Sequence, residues 1–316
     1  MILDVLWRLL RSLPPGVAYR VVHSTPPWLA RLVAGFERRP PSRWEPVEFA
    51  GVRLENPVGL AAGLDKDGNL AWVSYALGFG FTVVGSVLPY PYPGVADKVL
   101  ARLPDGGLVN RLGLPSKGAR VVAGRLSKHR PPLPVAVNIA GLKPGDYLEA
   151  YRILAPLADW VEVNISCPNT VEHSSFEEPE QARRILRGLV GLEPRRPILV
   201  KIPRTLDDDT LRAYADIVVE AGVDGIVAAN TLKTVYKGRQ AGLSGPRLYE
   251  STLAIVSRLR EYLPGGKHIV AVGGVDSPGK VEALLEAGAS LVEVLTALLA
   301  RGPGRVRSII AGGRGR

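Results

Sequence analysis

The stretch VEVNISCPNT, Val161–Thr170, decides how this chain is read. It begins apolar and ends in amides, hydroxyls, a thiol and a proline. A buried amide left without partners costs on the order of 2–7 kcal/mol. An apolar strand that finishes in such groups therefore delivers them to something polar. Short apolar runs recur along the chain, each followed by a longer amphipathic segment. They are Pro57–Gly63, Phe81–Val87, Pro134–Ala140, Trp160–Ser166, Pro197–Pro203, Asp224–Asn230, His268–Gly274 and Leu291–Ala297. Near-continuous apolar character is what strands buried on both faces require. The intervening segments carry helical signals. Asp207–Gly222, for example, opens on acids and closes on glycine. Eight strands alternating with helices predict an α/β fold, a closed parallel (β/α)8 TIM barrel, with a doubly wound open sheet as the other architecture.

The totals agree with such a barrel. The chain has 316 residues, 46% hydrophobic and 22% charged, as expected of a globular protein with a large core. One cysteine excludes an internal disulfide, and no apolar run reaches the roughly 18 residues of a spanning helix. No secretory signal is evident, and residence on the cytoplasmic side is the default expectation. The net charge is +10, and the first 43 residues hold seven arginines against two acids. In that segment Leu3, Leu6, Trp7 and Leu10, then Trp28, Leu29, Leu32 and Val33, follow helical spacing. They predict two short basic amphipathic helices separated by LPPG and STPP. Such helices can lie on a membrane surface, or they can dock as a cap on the barrel. The chain thus divides into an extension, 1–43, and a barrel, 44–316.

Within the barrel, VEFAGVRLEN reads as a hairpin turning at Ala50–Gly51. Two connections, Leu88–Pro115 and Thr231–Gly245, are too long for ordinary barrel loops and mark the active face. Asn138, Asn164, Lys201 and Asn230 stand at matching ends of otherwise apolar strands, which points to a shared polar ligand. Ser244–Gly245 and Gly273–Gly274 fall where backbone amides hold phosphate late in this fold. The four histidines are scattered, and neither a metal cluster, a GxSxG elbow nor a P-loop occurs.

The motifs NPVGLAAGLDKDG, NRLG, VNISCPNT, VKIP, AANT, GLSG, VGGV and GASLVEV follow one another in an order similar to that of the dihydroorotate dehydrogenase family. The likeness runs from about Val47 to the last helix. AAGLDKDG and the helical extension resemble the membrane-associated, quinone-reducing class. The resemblance implies oxidation of (S)-dihydroorotate to orotate in pyrimidine biosynthesis, with FMN as cofactor. It implies that Ala62, Gly63, Leu64, Asp65, Lys66, Ser86 and Ala229 line the flavin, and that Asn138, Asn164 and Lys201 contact its ring. Gly245, Gly274, Leu295 and Thr296 would bind its phosphate. Lys66, Asn110, Arg111, Leu112, Gly113, Leu114, Asn164, Asn169, Asn230 and Thr231 would hold the substrate. Cys167 falls on the catalytic base position; read without the family, it is a small buried thiol. The implied partners are dihydroorotate, quinone and the cytoplasmic face of the cell membrane.

Several positions depart from the family pattern. The quinone class usually has serine where Cys167 stands, and VEHSSF follows PNT where PGLR is usual. Val99 replaces an arginine near the quinone, Leu295 a tyrosine and Ala229 a threonine. These leave a soluble-class enzyme using fumarate or NAD as the alternative. A flavoenzyme acting on RNA is the remaining one, but only 6% of residues are aromatic and no basic stripe with interleaved aromatics appears. The expectation is therefore no nucleic-acid partner.

Overall fold

The computed structural model describes residues 2–166 and 178–312. Eight parallel strands close into a barrel: β1 (Val58–Leu60), β2 (Phe81–Val87), β3 (Val135–Ile139), β4 (Trp160–Asn164), β5 (Ile198–Lys201), β6 (Gly225–Ala228), β7 (His268–Val272) and β8 (Leu291–Val294). Each pairs with its sequence neighbours, and β8 closes onto β1. Every expected run contains one of these strands, so the closed barrel, not the open sheet, is the architecture. Except for β2, which fills its run, the strands are shorter than the runs at their carboxyl ends, where the chain leaves the barrel to build the site.

Side chains alternate about each strand. The outward set, such as Val137, Val161, Val200 and Ile226, packs against the surrounding helices. The inward set forms a second core of Phe81, Val83, Ala136, Trp160, Leu199, Val227, Val270 and Leu291. The strands Val47–Phe49 and Val52–Leu54 form the expected hairpin, with Ala50 and Gly51 both at positive φ. Its Phe49 plugs the amino-terminal mouth, its ring 5.1 Å from Trp160, which in turn lies 5.2 Å from Phe81. Gly59 faces this layer, and a β-carbon there would sit 2.3 Å from the Phe81 ring.

The helices that position the site follow local rules. The helix Asp208–Glu220 starts where the Asp207 carboxylate accepts from the Thr210 amide at 2.9 Å, and it ends before Gly222 at φ +71°. The amino-terminal segment forms three helices rather than the two expected: α1 (Ile2–Ser12), α2 (Pro15–Ser24) and α3 (Pro27–Gly35). Pro15 and Pro27 stand at first helical positions, where the missing N–H costs nothing. The prolines therefore start helices rather than mark loops.

The two long connections do not stay irregular. Val99–Arg102 and Leu108–Arg111 come from the first, Leu232–Tyr236 and Arg239–Ser244 from the second. They join into one antiparallel four-stranded sheet over the carboxyl mouth, with Ser244 opposite Leu108. The second hairpin turns at Lys237–Gly238, both at positive φ.

Gly59→Ala is expected to lower stability by about 1–3 kcal/mol through overpacking against Phe81. Urea denaturation followed by tryptophan fluorescence measures this. An unchanged midpoint would contradict the packing described.

Candidate active site

Above the apolar layer the barrel interior turns polar. Asn138, Glu162, Asn164, Lys201 and Glu293 point inward from β3, β4, β5 and β8, and all are buried. They are linked side chain to side chain. The Asn230 amide donates to Asn164 Oδ1 (3.3 Å), the Asn164 amide to Ser86 Oγ (2.8 Å) and Ser86 Oγ to Asn138 Oδ1. Asn138 Nδ2 then donates to Glu162 Oε2 at 2.9 Å. Lys201 Nζ lies 3.5 Å from Glu293 Oε2. Each amide spends part of its capacity fixing its neighbour, so the floor is rigid before any ligand arrives.

A cavity opens over this floor. It has about 280 Å³ accessible to the centre of a water molecule and is lined by Gly63, Lys66, Ser86, Asn110, Asn164, Lys201 and Asn230, among others. A second recess of about 90 Å³ continues from it past Lys201 and Asn230 to Gly245, Gly273, Gly274, Leu295 and Thr296. Gly273 and Gly274 have positive φ, and a β-carbon on Gly274 would lie 2.3 Å from the Tyr249 amide nitrogen. Leu295 caps the helix Thr296–Arg301 with no side-chain hydrogen bond, so its first amides face the recess uncapped.

Arg204 lines the same recess. Its guanidinium donates to Asn230 O (3.0 Å), Val272 O (3.0 Å), Ser251 Oγ (2.8 Å) and Thr252 Oγ1 (3.0 Å). No carboxylate among the described residues pairs with it, and burial pulls it down to about 10. A cation held in this way favours an anion beside it.

The outer mouth of the main cavity is made by the amino-terminal helices and the four-stranded sheet. Trp7, Leu10, Arg11, Ala18, Tyr19, Val22 and His23 line it on one side, Leu100, Ala101, Arg102 and Leu108 on the other. Arg102 ties the two together by donating to Arg11 O (3.0 Å) and Leu13 O (3.2 Å). Asp4 and Glu37 hold Arg307 at 2.6 and 2.8 Å, which fixes α1 and the end of α3 to the last helix. Burial, with Lys66 and Lys117 nearby, pushes the His23 imidazole down to about 3.

Most positions expected from the sequence converge here. Ala62, Gly63, Leu64, Lys66, Ser86, Asn110, Leu112, Gly113, Leu114, Asn164, Lys201, Asn230 and Thr231 line the main cavity. Ala229, Gly245, Gly274, Leu295 and Thr296 line the recess. Three do not reach the space. Asn138 lies beneath it, holding Ser86. Asp65 is buried, pushed up to about 6, and its carboxylate accepts from the Asn69 and Leu70 amides, so it shapes the loop that carries Lys66. Arg111 turns away to Asp97 (3.1 Å) and Gln240 O (2.9 Å), on the outer face of the sheet. Cys167 and Asn169 lie outside the described residues. Val99 does not line the mouth, whereas Arg102, three residues on, does.

Four groups escaped the sequence reading: Glu162, Glu293, Arg204 and His23. Glu162 and Glu293 could have been found, because each stands at the same inward parity as the polar residues that were noticed.

Fold and site define a (β/α)8 enzyme that works on a polar floor at the carboxyl ends of its strands. A dihydroorotate dehydrogenase family model matches residues 46–312. The dihydroorotate dehydrogenase (quinone) of Mycobacterium marinum is 36% identical over 93% of this chain and 88% of its own length. That of Leifsonia xyli is 37% identical over 84% of each. The crystal structure of DHODH from Eimeria tenella in complex with ferulenol superposes with a TM-score of 0.84 at 28% identity, covering 97% of this chain and 93% of that one. The chain belongs to the dihydroorotate dehydrogenase family, whose members depend on a flavin.

His23 gives a pH test of the mouth. Its folded value is depressed, so between about 6.5 and about 3 the unfolded chain binds the extra proton. Stability is complete above pH 6.5 and is lost as pH falls through this window. His23→Gln is expected to flatten that loss in melting temperature between pH 6.5 and 4. Parallel curves for the two proteins would contradict it.

Proposed function

We propose that this chain oxidises (S)-dihydroorotate to orotate for pyrimidine biosynthesis, with FMN as its flavin and a quinone as final acceptor. The observation that carries the reading is one cleft running from an apolar helical mouth to an amide-and-ammonium floor. A quinone is an apolar ring that the mouth suits. Orotate is a flat acid with amide edges that the floor suits.

The fit to FMN rests on the backbone. Only glycine fits at 273 and 274, where a β-carbon would meet Arg204 Nη2 or the Tyr249 backbone, so the chain can turn along the recess wall; the uncapped helix start and Arg204 add positive potential for a phosphate. At Gly63 a β-carbon would meet only Leu295 Cδ2, at 3.6 Å, which leaves room for a flat ring. FMN held by the recess and the Gly63 loop would supply a hydride acceptor for the substrate and a two-electron donor for quinone.

The chain's own residues do the rest. Lys201 sets positive charge at the floor, where negative charge collects as hydride leaves the substrate. Asn164, Asn230 and Asn110 offer both donors and acceptors to the pyrimidine edges, and Lys66 neutralises the carboxylate. Asn230 is aimed by its own bonds to Ser166 O (2.6 Å) and Ser166 Oγ (3.0 Å). Cys167, next in sequence to Ser166, takes the proton from the carbon beside the carbonyl; a thiol of reference pKa about 8.5 needs only a modest shift to do so. Dihydroorotate thus loses one hydride and one proton and gains a double bond, and the quinone ends with two electrons and two protons.

The membrane reading rests on the surface. Ile2, Val5, Leu6, Leu9, Val21, Trp28, Leu32 and Phe36 are all exposed on or beside the three amino-terminal helices, among the seven arginines of that segment. No helix among the described residues is long and apolar enough to cross a membrane. A basic apolar surface of this kind suits peripheral attachment to the anionic cytoplasmic leaflet, with the mouth facing the lipid.

An acceptor panel tests the assignment. With dihydroorotate as donor, turnover is expected with a quinone and not with fumarate or NAD; the reverse pattern would remove quinone from the proposal. Cys167→Ala is expected to slow flavin reduction by roughly 10²- to 10⁴-fold, as for a lost general base. An unchanged stopped-flow rate would assign the proton to another group.

A further inference from the structure

Two carboxyl groups lie inside the barrel, Glu162 under the floor and Glu293 at the wall of the recess, and the mechanism above gives them no role. Glu162 comes from β4 and Glu293 from β8; both are essentially inaccessible to water. Asn138 Nδ2 serves one oxygen of Glu162, and Lys201 Nζ lies 3.5 Å from one oxygen of Glu293. Glu162 Oε1 and Glu293 Oε1 have no N–H or O–H donor among the described residues, and the one donor at Glu293 Oε2 is the Lys201 ammonium at 3.5 Å. If both groups were ionised, two negative charges would face one ammonium in a layer almost without solvent exposure. A hydrogen between the carboxyls satisfies an oxygen on each side and removes one charge.

The other charged groups are few. Besides Glu162, Lys201 and Glu293, the only titratable side chain on a barrel strand is His268. It lies four residues before Val272, the partner of Glu293, at the opposite mouth with its ring 4.5 Å from Phe49. Burial first, then Glu162, holds Glu293 well above the usual carboxylate range, against the opposing pull of Lys201.

We propose that Glu293 is kept as the neutral acid and donates a hydrogen bond to Glu162, so that the pair carries one negative charge that positions the Lys201 ammonium at the cavity floor. The three groups are then electrically neutral together. Loss of the proton would leave an excess negative charge under the floor and draw Lys201 downward. Glu293 is a positioning residue: it acts through Lys201. The effect on Lys201 rests on the flavin reading given above; the protonation state does not.

The test uses the full-length, flavin-loaded protein. Infrared difference spectra of wild type against Glu293→Gln at pH 7 are expected to contain a protonated-carboxyl carbonyl band that shifts in deuterium oxide. Glu162→Gln is expected to shift that band, because the Glu293 proton then loses its carboxylate acceptor. Absence of the band in wild type, or an unshifted band in Glu162→Gln, would overturn the proposal whether or not dihydroorotate is a substrate. Stability supplies an arm independent of spectroscopy. The folded chain keeps a proton that the unfolded chain releases near 4.5, so wild type loses stability as pH rises above that value. Glu293→Gln, which retains a donor but has no proton to lose, is expected to gain in melting temperature relative to wild type from pH 5 to 8. A constant difference would count against the pair. The alkaline limb of the pH profile for flavin reduction by dihydroorotate is expected to disappear in Glu293→Gln. An alkaline limb that persists would remove Lys201 positioning while leaving the protonation claim to the infrared result.

Discussion

Lys201 is an ammonium at the end of a fully buried strand, and the site depends on how it is tolerated there. An isolated charge at that depth would be expelled or neutralised. It is retained because the Glu162–Glu293 pair stands beside it, with Glu293 Oε2 at 3.5 Å, and because Asn138, Asn164 and Ser86 join Glu162 in a connected polar layer. The layer below is wholly apolar, closed by Phe49, Phe81 and Trp160. The barrel is thus a dry plug at one mouth and a polar floor at the other. That division is what lets one small domain combine a stable core with a charged cavity.

The lid has a different origin. Two insertions separated by more than a hundred residues pair into a single sheet, because each carries hairpin-forming strands whose edges need partners. Arg102 extends that sheet to α1, and Arg307 fastens α1 to the last helix. The mouth is therefore held by hydrogen bonds and ion pairs between segments remote in sequence, added to the apolar docking of Leu3 and Ala34 in the outer core. Its lining stays available to an apolar ligand.

The fold was readable because buried parallel strands leave a pattern that survives any loop: eight apolar runs, each ending in a turn or a polar residue. The polar ends also located the site, since Asn164, Lys201 and Asn230 interrupt runs where nothing else would place them. What was not readable depends on long-range pairing. The lid strands look like Pro- and Gly-rich loops until Gly242 meets Asn110 and Leu243 meets Val109. Pro15 and Pro27 read as breaks although each begins a helix. Arg111 sits inside a motif associated with the substrate, yet Asp97 and the Gln240 carbonyl draw it to the outer face. Arg204 carried no local signal, because its acceptors come from three separate elements.

The central claim is that a flavin and a pyrimidine acid meet over the floor built by Lys201, Asn164 and Asn230. Anaerobic titration of the purified, flavin-loaded protein with dihydroorotate tests it most directly. The account expects the flavin absorbance to bleach fully as one equivalent of dihydroorotate is added per flavin, with orotate appearing in equal amount. Protein that carries flavin but keeps its oxidised spectrum in excess dihydroorotate would contradict it.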